Sequence, residues 1–452
     1  MESSAFIKPD YQLKKVIKDE YLGLFFTDKK IGYFQGTASE ILIKEEQAYL
    51  ISGTGIIKLD LGQEKIFTIL KEEIILNKNY KPIYFHYSQK IGESLLEIKG
   101  IKKEDSLLLR TFTASKYTDE KLPVDVIPLA SAGFIVLKEG IKEGKVYNFK
   151  VYVEAMQKIE SLKVVVGKPF MENNQKIYPL NQTLGNINIV SYVYENGDTY
   201  KEESLQGFTL RKISKEDAIK LDDNASIYDI LSYVSIPVII NGSIKDIKEM
   251  IFEITGIQEA IPPSSSYQKI NKDGEKIIVH TSVSPIVKKE RIAVQKYLKP
   301  TSKIQSSDKE IIEIAKSIVG NSKSDEERVK KIVEWVNKNI KKTLKDRFSA
   351  LEVLKTREGE CEAHSMLTSA LLRSLNIPTK IVGGIVYSEE NKGFLYHAWN
   401  EVYLDGYFVP IDSTFGEFPA NPTHIKLTEE ENTEDISLYL GRLKLKIIEI
   451  KK

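Results

Sequence analysis

The sequence predicts an α+β protein: antiparallel β-rich units come first, and a C-terminal domain of helices followed by strands comes last. Three observations carry this. Up to about residue 240, β-branched and aromatic residues alternate in part with polar ones, the period of half-buried strands. From residue 306 the apolar spacing becomes helical, with capping residues at the starts and Gly or Pro at the stops. After Pro378 short apolar runs return, and two of them are joined by Asp405-Gly406, a two-residue hairpin turn.

Composition bounds the rest. A chain of 452 residues holds about two to four domains of roughly 100–200 residues. Its 42% hydrophobic and 29% charged residues are ordinary for a globular protein with a full core. The formal net charge of +1 offers no broad basic field for nucleic acid and no acidic field for a cation store. One cysteine excludes an internal disulfide framework and any multi-cysteine metal knuckle. The start "MESSAFIKPDYQLKK" lacks the basic-then-apolar layout of a signal peptide. The longest apolar runs, "PLASAGFIVL" and "SIPVII", fall short of the roughly 18 residues that cross a bilayer. The expectation is a soluble chain without a membrane span, cytoplasmic as it stands or periplasmic and extracytoplasmic if a leader has been removed.

In chain order, "IGYFQGTASEILI", "AYLISGTGIIKLDL" and "KIFTILKEEIIL" read as strands. Asp28, Asn196-Gly197 and Asp273-Gly274 supply turns, and the last two pairs are hairpin signals because both residues tolerate positive φ. The polar stretch "SKYTDEKLPVD" suggests a boundary between two β units, at 1–115 and 116–245. Residues 246–305 read as a β and linker region containing the loop "AIPPSSSYQ" and the strands of "EKIIVHTSVSPIV". The last domain is 306–452. Its first helix, in "DKEIIEIAKSIVG", stops on Gly320. The second opens with Ser324 and Glu327, a capping box, and carries Ile332, Val336 and Ile340 as its apolar stripe beside Trp335. The third repeats the box with Ser349 and Glu352. A fourth starts about Cys361, buries Met366, Leu367, Ala370, Leu371 and Leu375, and ends before Pro378. Strands follow in "TKIVGGIVY", "HAWNEVYL", "YFVPIDST" and "LKLKIIEI".

The lone thiol lies in "REGECEAHSML". At a helix start, free N–H groups and the positive dipole end favour an anion, so Cys361 has one of the two things a nucleophilic thiolate needs. Gly359 permits the tight entry of the loop into that helix. The second need is a base. If Asp405-Gly406 sets the register, Leu404 faces Tyr407 and paired numbers run antiparallel from there. Residue 412 then lies opposite Trp399, and His397 is its diagonal neighbour at about 7–8 Å between Cβ atoms, within reach of a hydrogen bond. An Asp412 that accepts from one ring nitrogen leaves the other to take a proton from sulfur. The opposite face, with Val402, Leu404, Val409 and Ile411, reads as core. The Asp–His face, with Trp399, Glu401, Tyr403 and Phe408, reads as a mixed surface suited to a cleft. The backbone N–H of Cys361 is one oxyanion donor, and the second is unassigned.

These phrases, from "GECEAHSMLTSALLRSLNIPTKIVGGIVY" to "YHAWNEVYLDGYFVPIDSTFGEFPANPTHIKL", resemble the bacterial transglutaminase-like superfamily, relatives of papain-type cysteine proteases. The resemblance covers roughly residues 320–430, and the closing "LGRLKLKIIEI" fits the family's last strand. It implies a Cys-bearing helix packed on an antiparallel sheet that carries His and Asp, with thiol-ester chemistry on amides. The preceding 300 residues resemble the β-rich region that accompanies this domain in envelope-associated bacterial proteins, which implies an envelope partner for that region.

The expected function is therefore cysteine-dependent acyl transfer on a protein or peptide substrate, with catalytic Cys361, His397 and Asp412 and no metal or organic cofactor. Water as acceptor, the hydrolytic outcome common among the relatives this chain resembles, makes a protease or amidase. A lysine amine as acceptor makes a cross-linking transglutaminase. A non-catalytic envelope or scaffold protein with a residual triad is the third reading. Gly359, His364 and Trp399 are the supporting or substrate-binding candidates, each with a packing role as the plain alternative. A zinc site of Cys361, His364, His397 and Asp412 has suitable ligand types but an unfamiliar spacing. Trp335 and His424 read as structural, and His86 and His280 lack partners that suggest chemistry.

Overall fold

The structure is a computed structural model. It describes residues 6–60, 65–204, 207–220, 235–257, 260–287, 289, 293–429, 436, 439 and 441–452. Residues 1–5, part of the stretch read for a leader, lie outside the described residues. No helix among the described residues is long and apolar enough to cross a membrane. The chain divides into two compact units, 1–229 and 230–452.

The N-terminal unit is built on one sixteen-stranded sheet. From Gln12–Phe26 to Lys116–Pro123 the strands pair each with the next, all antiparallel. Gln12–Phe26 also pairs with Phe208–Ile213, and the sheet continues from there through Thr199–Ser204, Ile187–Tyr194, Gln175–Leu184, Lys158–Val166 and Val146–Val153. It ends on Val126–Pro128, joined in parallel. The Asn196-Gly197 turn lies between two of these strands, with Gly197 at φ 85°. The boundary expected at 115/116 is not where the chain divides: it falls in the hairpin between Ser106–Thr113 and Lys116–Pro123. The reason is chemical. "KYTDEKLP" is a terminal strand with mostly exposed, charged residues, and that composition mimics a linker. "PLASAGFIVL" contributes the helix Ser131–Glu139, whose Ala132, Ile135 and Val136 pack on Val151, Val164 and Tyr178.

In the C-terminal unit, Gln268–Asp273, Lys276–Ser282, Glu249–Thr255 and Lys444–Lys451 form one four-stranded sheet. The chain's last strand pairs with Glu249–Thr255, so 246–305 and 306–452 share one unit instead of dividing as expected. Met250, Phe252 and Val279 of this sheet share a core cluster with Ile385, Tyr387 and Phe394. Such pairing across about 200 residues leaves no local trace in a sequence.

The helices begin and end as the capping chemistry dictates. Lys309–Val319 is capped by Asp308 and stopped by Gly320 at φ 53°. In Asp325–Asn339 the Ser324 hydroxyl accepts from Glu327 N–H at 3.2 Å, and the Glu327 carboxylate accepts from Lys323 N–H at 3.0 Å. Ala350–Thr356 repeats this with Ser349 and Glu352. Cys361–Ser374 packs against the second four-stranded sheet, ordered Tyr407–Ile411, Gly393–Leu404, Thr379–Ser388, Ile425–Lys426. Met366, Leu367, Ala370 and Leu371 are buried as expected, each worth about 0.8 kcal/mol per buried methylene. Ser365, Thr368 and Ser369 are buried as well, so this helix is enclosed on both its apolar and its polar sides.

Candidate active site

The hairpin that carries the site follows its turn. Asp405 and Gly406 take φ of 51° and 90°, positive at both positions as the favoured two-residue turn requires. Leu404 pairs with Tyr407, and the register runs without a bulge to Asn400 and Ile411. One residue further, Asp412 meets its diagonal neighbour: His397 Nε2 lies 2.7 Å from Asp412 Oδ2. Both side chains are buried. Asp412 Oδ1 accepts from the backbone N–H groups of Thr414 at 2.7 Å and Phe415 at 3.4 Å. Burial alone would raise this carboxyl, but His397 and then His424 outweigh it and hold Asp412 well below the usual carboxylate range.

His424 is the third member of this cluster, and nothing in the periodicity of "PANPTHIKL" announces it. Its Nε2 lies 3.0 Å from Asp412 Oδ2, and its Nδ1 lies 3.0 Å from the carbonyl oxygen of Asn421. A carbonyl and a carboxylate both accept only, so a ring satisfying both carries two N–H groups and a positive charge. Burial opposes that charge, yet the hydrogen bond and charge of Asp412 prevail and the His424 pKa is raised. One carboxylate thus serves two imidazoles.

Cys361 is the first residue of its helix. The preceding residues reach it through a short parallel ladder between Lys341–Lys342 and Glu358–Gly359. A Cβ at residue 359 would sit 2.4 Å from Ala363 Cβ, so Gly359 is required by close approach to the helix. Glu360 is the N-cap: its carboxylate accepts from Glu362 N–H at 2.7 Å and Ala363 N–H at 2.8 Å. The Cys361 thiol donates to the same carboxylate, Sγ to Oε2 3.1 Å. This corrects the expectation that the helix start lowers the thiol pKa. Glu360, not sulfur, takes the anion position, and burial followed by the Glu360 charge pushes Cys361 well above its usual range. The backbone N–H of Ala398 acts in the opposite direction on the sulfur, which therefore sits beside the residue that follows His397. Glu360 itself is pushed up to about 7 by burial and by Glu362.

Polar bonds fasten the Cys361 helix to the strand carrying His397. Ser365 Oγ donates to the Ala398 carbonyl at 3.2 Å. Asn400 Nδ2 donates to the Ser365 carbonyl at 3.1 Å and to Ser369 Oγ at 2.9 Å. Thr368 Oγ1 donates to Ser413 Oγ at 2.7 Å, next to Asp412. The buried polar side of the helix thus fixes the sulfur relative to both partners of the Asp–His pair.

Rings close around the imidazoles. Trp399 is buried with its ring centroid 6.2 Å from His397 and 5.1 Å from His424, so it walls the pair. Phe415 stacks on His397 at 5.0 Å, is 40% exposed, and carries Lys342 Nζ 4.7 Å over its ring. His364 is buried and turns away from the pair, with Nδ1 2.8 Å from the Glu360 carbonyl and Nε2 3.3 Å from the Ile340 carbonyl. Burial lowers its pKa.

The face expected to be a mixed surface is instead covered. Glu401 and Trp399 are each 2% exposed and Phe408 5%. Glu401 meets Lys380 at 3.0 Å and Lys426 at 3.1 Å, and both lysines also meet Glu429. Charged residues in an alternating strand look solvent-facing in a sequence. Here they pair with one another beneath other segments. Of the four residues weighed for zinc, Cys361 turns to Glu360 and His364 to backbone carbonyls. His397, Asp412 and His424 are the described residues whose ligand atoms lie within 4.8 Å of one another, and the two imidazoles reach the carboxylate at direct hydrogen-bond distance.

Residues 312–413 match the model of the transglutaminase-like superfamily, and this region is a transglutaminase-like domain. Kyphoscoliosis peptidase of Mus musculus is 31% identical over 134 residues, covering 26% of this chain and 20% of that protein. The Homo sapiens kyphoscoliosis peptidase is 30% identical over 122 residues, covering 23% of this chain and 18% of its own. The matched part thus spans about a fifth of the length of these curated relatives. A solved structure of a candidate cysteine protease from Cytophaga hutchinsonii aligns at 15% identity over 45% of this chain and 86% of its own, with a TM-score of 0.30. The superfamily match supports a cysteine-dependent hydrolase or transferase at family level.

Proposed function

We propose that the C-terminal unit is a cysteine acyl-transfer enzyme acting on peptide or side-chain amides, with Cys361 as nucleophile, His397 as base and Asp412 as the group that orients it. One observation carries this reading: the Asp412–His397 hydrogen bond sits on the strand whose next residue, Ala398, is fastened by its carbonyl to Ser365 of the helix that Cys361 begins. With Nε2 held by Asp412, Nδ1 is the nitrogen left to take the thiol proton. Sulfur then bonds to the amide carbon, the C–N bond breaks, and the imidazolium gives its proton to the leaving amine. Water, deprotonated by the same ring, cleaves the thioester to a carboxylic acid and regenerates the thiol. The Cys361 backbone N–H is one donor to the oxyanion.

The resting form in this reading is a neutral thiol held by Glu360. The test is incubation of the full chain, native and Cys361→Ala, with a mixed peptide library read by mass spectrometry. Cleaved or deamidated products from the native chain alone are expected. Joined products with uptake of an added amine would replace hydrolysis by cross-linking. Identical products from both chains would remove the enzymatic reading and leave a binding protein with an unused triad.

A further inference from the structure

The N-terminal unit encloses a cavity of about 540 Å³, within the size range of small-ligand sites. Every residue lining it belongs to this unit. One wall comes from the first strands, with Phe34, Ile51 and Leu70; the other comes from later strands, with Leu180 and Val193; the helix Ser131–Glu139 adds Leu137. Space is made by missing side chains. Gly36 and Gly53 are register partners on adjacent strands. A Cβ at Gly36 would meet nothing within 4 Å, and one at Gly53 would meet only Gln35 O and Glu72 Cβ, each at 3.9 Å.

Glu72 is the register partner of Gly53 and lines the cavity. Among the described residues no hydrogen bond or ion pair reaches its carboxyl, and burial pushes it up to about 7. Its sequence neighbour Lys71 is exposed, as strand alternation requires. Lys18, the other lysine lining the cavity, is committed: it pairs with Glu20 at 2.6 Å and donates to the Gly197 carbonyl at 3.1 Å. Glu202, the second carboxyl raised by burial here, is bonded by the Ser191 hydroxyl. Behind Glu72 lies Glu154, 4% exposed, whose Oε1 has no hydrogen-bond partner among the described residues. The charge of Glu72 adds to burial in pushing Glu154 up. A wholly apolar core would not place the carboxyls of Glu72 and Glu202 on one space. An anion entering it meets Glu72 and Glu202 at low dielectric, with Lys18 already paired to Glu20 and Lys71 exposed. A cation would give Glu72 the partner it lacks in a charge-assisted hydrogen bond.

We propose that this cavity binds a single-chain amphiphile with a primary ammonium head, its chain between the apolar walls and its head on Glu72. The probes are decylamine, decanol and decanoate, titrated calorimetrically into the full chain at pH 8, below their micelle onset. Decylamine is expected to bind once per chain and decanoate at least a hundredfold more weakly. Glu72→Gln, which keeps the shape, should weaken decylamine at least tenfold and leave decanol within twofold. Gly36→Leu, which fills the floor, should abolish both with the far-UV circular dichroism unchanged. Absence of decylamine binding, equal binding of decanoate, or an unaltered decylamine affinity in Glu72→Gln would overturn the proposal. Because Glu72→Gln is read against decanol in the same protein, the outcome does not depend on how well Gly36→Leu folds.

Discussion

Glu360→Gln should turn a protonated thiol into a reactive one. The Glu360 oxygen lies 3.1 Å from Cys361 Sγ. Two like charges at that distance repel by about 1.3 kcal/mol at a dielectric constant of ~80 and about 5 kcal/mol at ~20. With 1.36 kcal/mol per unit, that is about one to four pKa units of upward pressure on the thiol. The amide keeps an oxygen for one of the two helix N–H groups and brings an N–H₂ that can donate to a thiolate, so the cap survives in part. The assay is specific because the chain holds one cysteine: iodoacetamide alkylation followed by intact mass from pH 6 to 10. The apparent thiol pKa should fall by at least one unit in Glu360→Gln, and alkylation at pH 8 should quicken about tenfold. A profile within 0.3 unit of the native one, with the fold intact, would refute the assignment of the thiol proton to the Glu360 contact.

Three further outcomes follow from the same geometry. Both tryptophans, Trp335 and Trp399, lie in the C-terminal unit, so their fluorescence follows unfolding of that unit. His424 has a raised pKa, so its contribution is complete below about pH 6.5 and is lost as pH rises through the folded value. The native chain should therefore exceed His424→Gln by about 1–3 kcal/mol at pH 6, with the gap narrowing by pH 9; a gap that is constant or widens would contradict a charged ring. Gly359→Ala places a Cβ 2.4 Å from Ala363 Cβ and should cost about 1–3 kcal/mol in urea unfolding, with slowed alkylation of Cys361 as the helix start shifts. Glu401→Ala leaves Lys380 and Lys426 buried with Glu429 alone and should cost about 3–5 kcal/mol, a loss that would be absent if the cluster were solvated.

The site hairpin was readable before any coordinates because two independent rules agree there. Asp405-Gly406 sets the turn, and a period of two then leaves one register, so the distance between His397 and Asp412 is a consequence of counting. The helix starts at Ser324 and Ser349 were readable for a similar reason, since cap and reciprocal carboxylate lie three residues apart. What stayed hidden needed facts that spacing does not hold. Glu360 competes with Cys361 for the same helix end, and only geometry decides which of two adjacent groups wins. His424 reaches Asp412 from a loop without periodicity. Ser365, Thr368 and Ser369 look like the wet side of a helix, and they are buried because Asn400 and Ser413 answer them. Lys116–Pro123 looks like a linker because sheet ends and linkers favour the same residues.

That terminal strand has a further implication. The first and last members of the sheet order, Lys116–Pro123 and Val126–Pro128, are consecutive in the chain, with only Val124 and Asp125 between them. Three Cα steps span at most about 11 Å, so the two borders of a sixteen-stranded ribbon must come back to one another. The N-terminal unit therefore curls back on itself, so that its first and last strands in the sheet order meet at one corner.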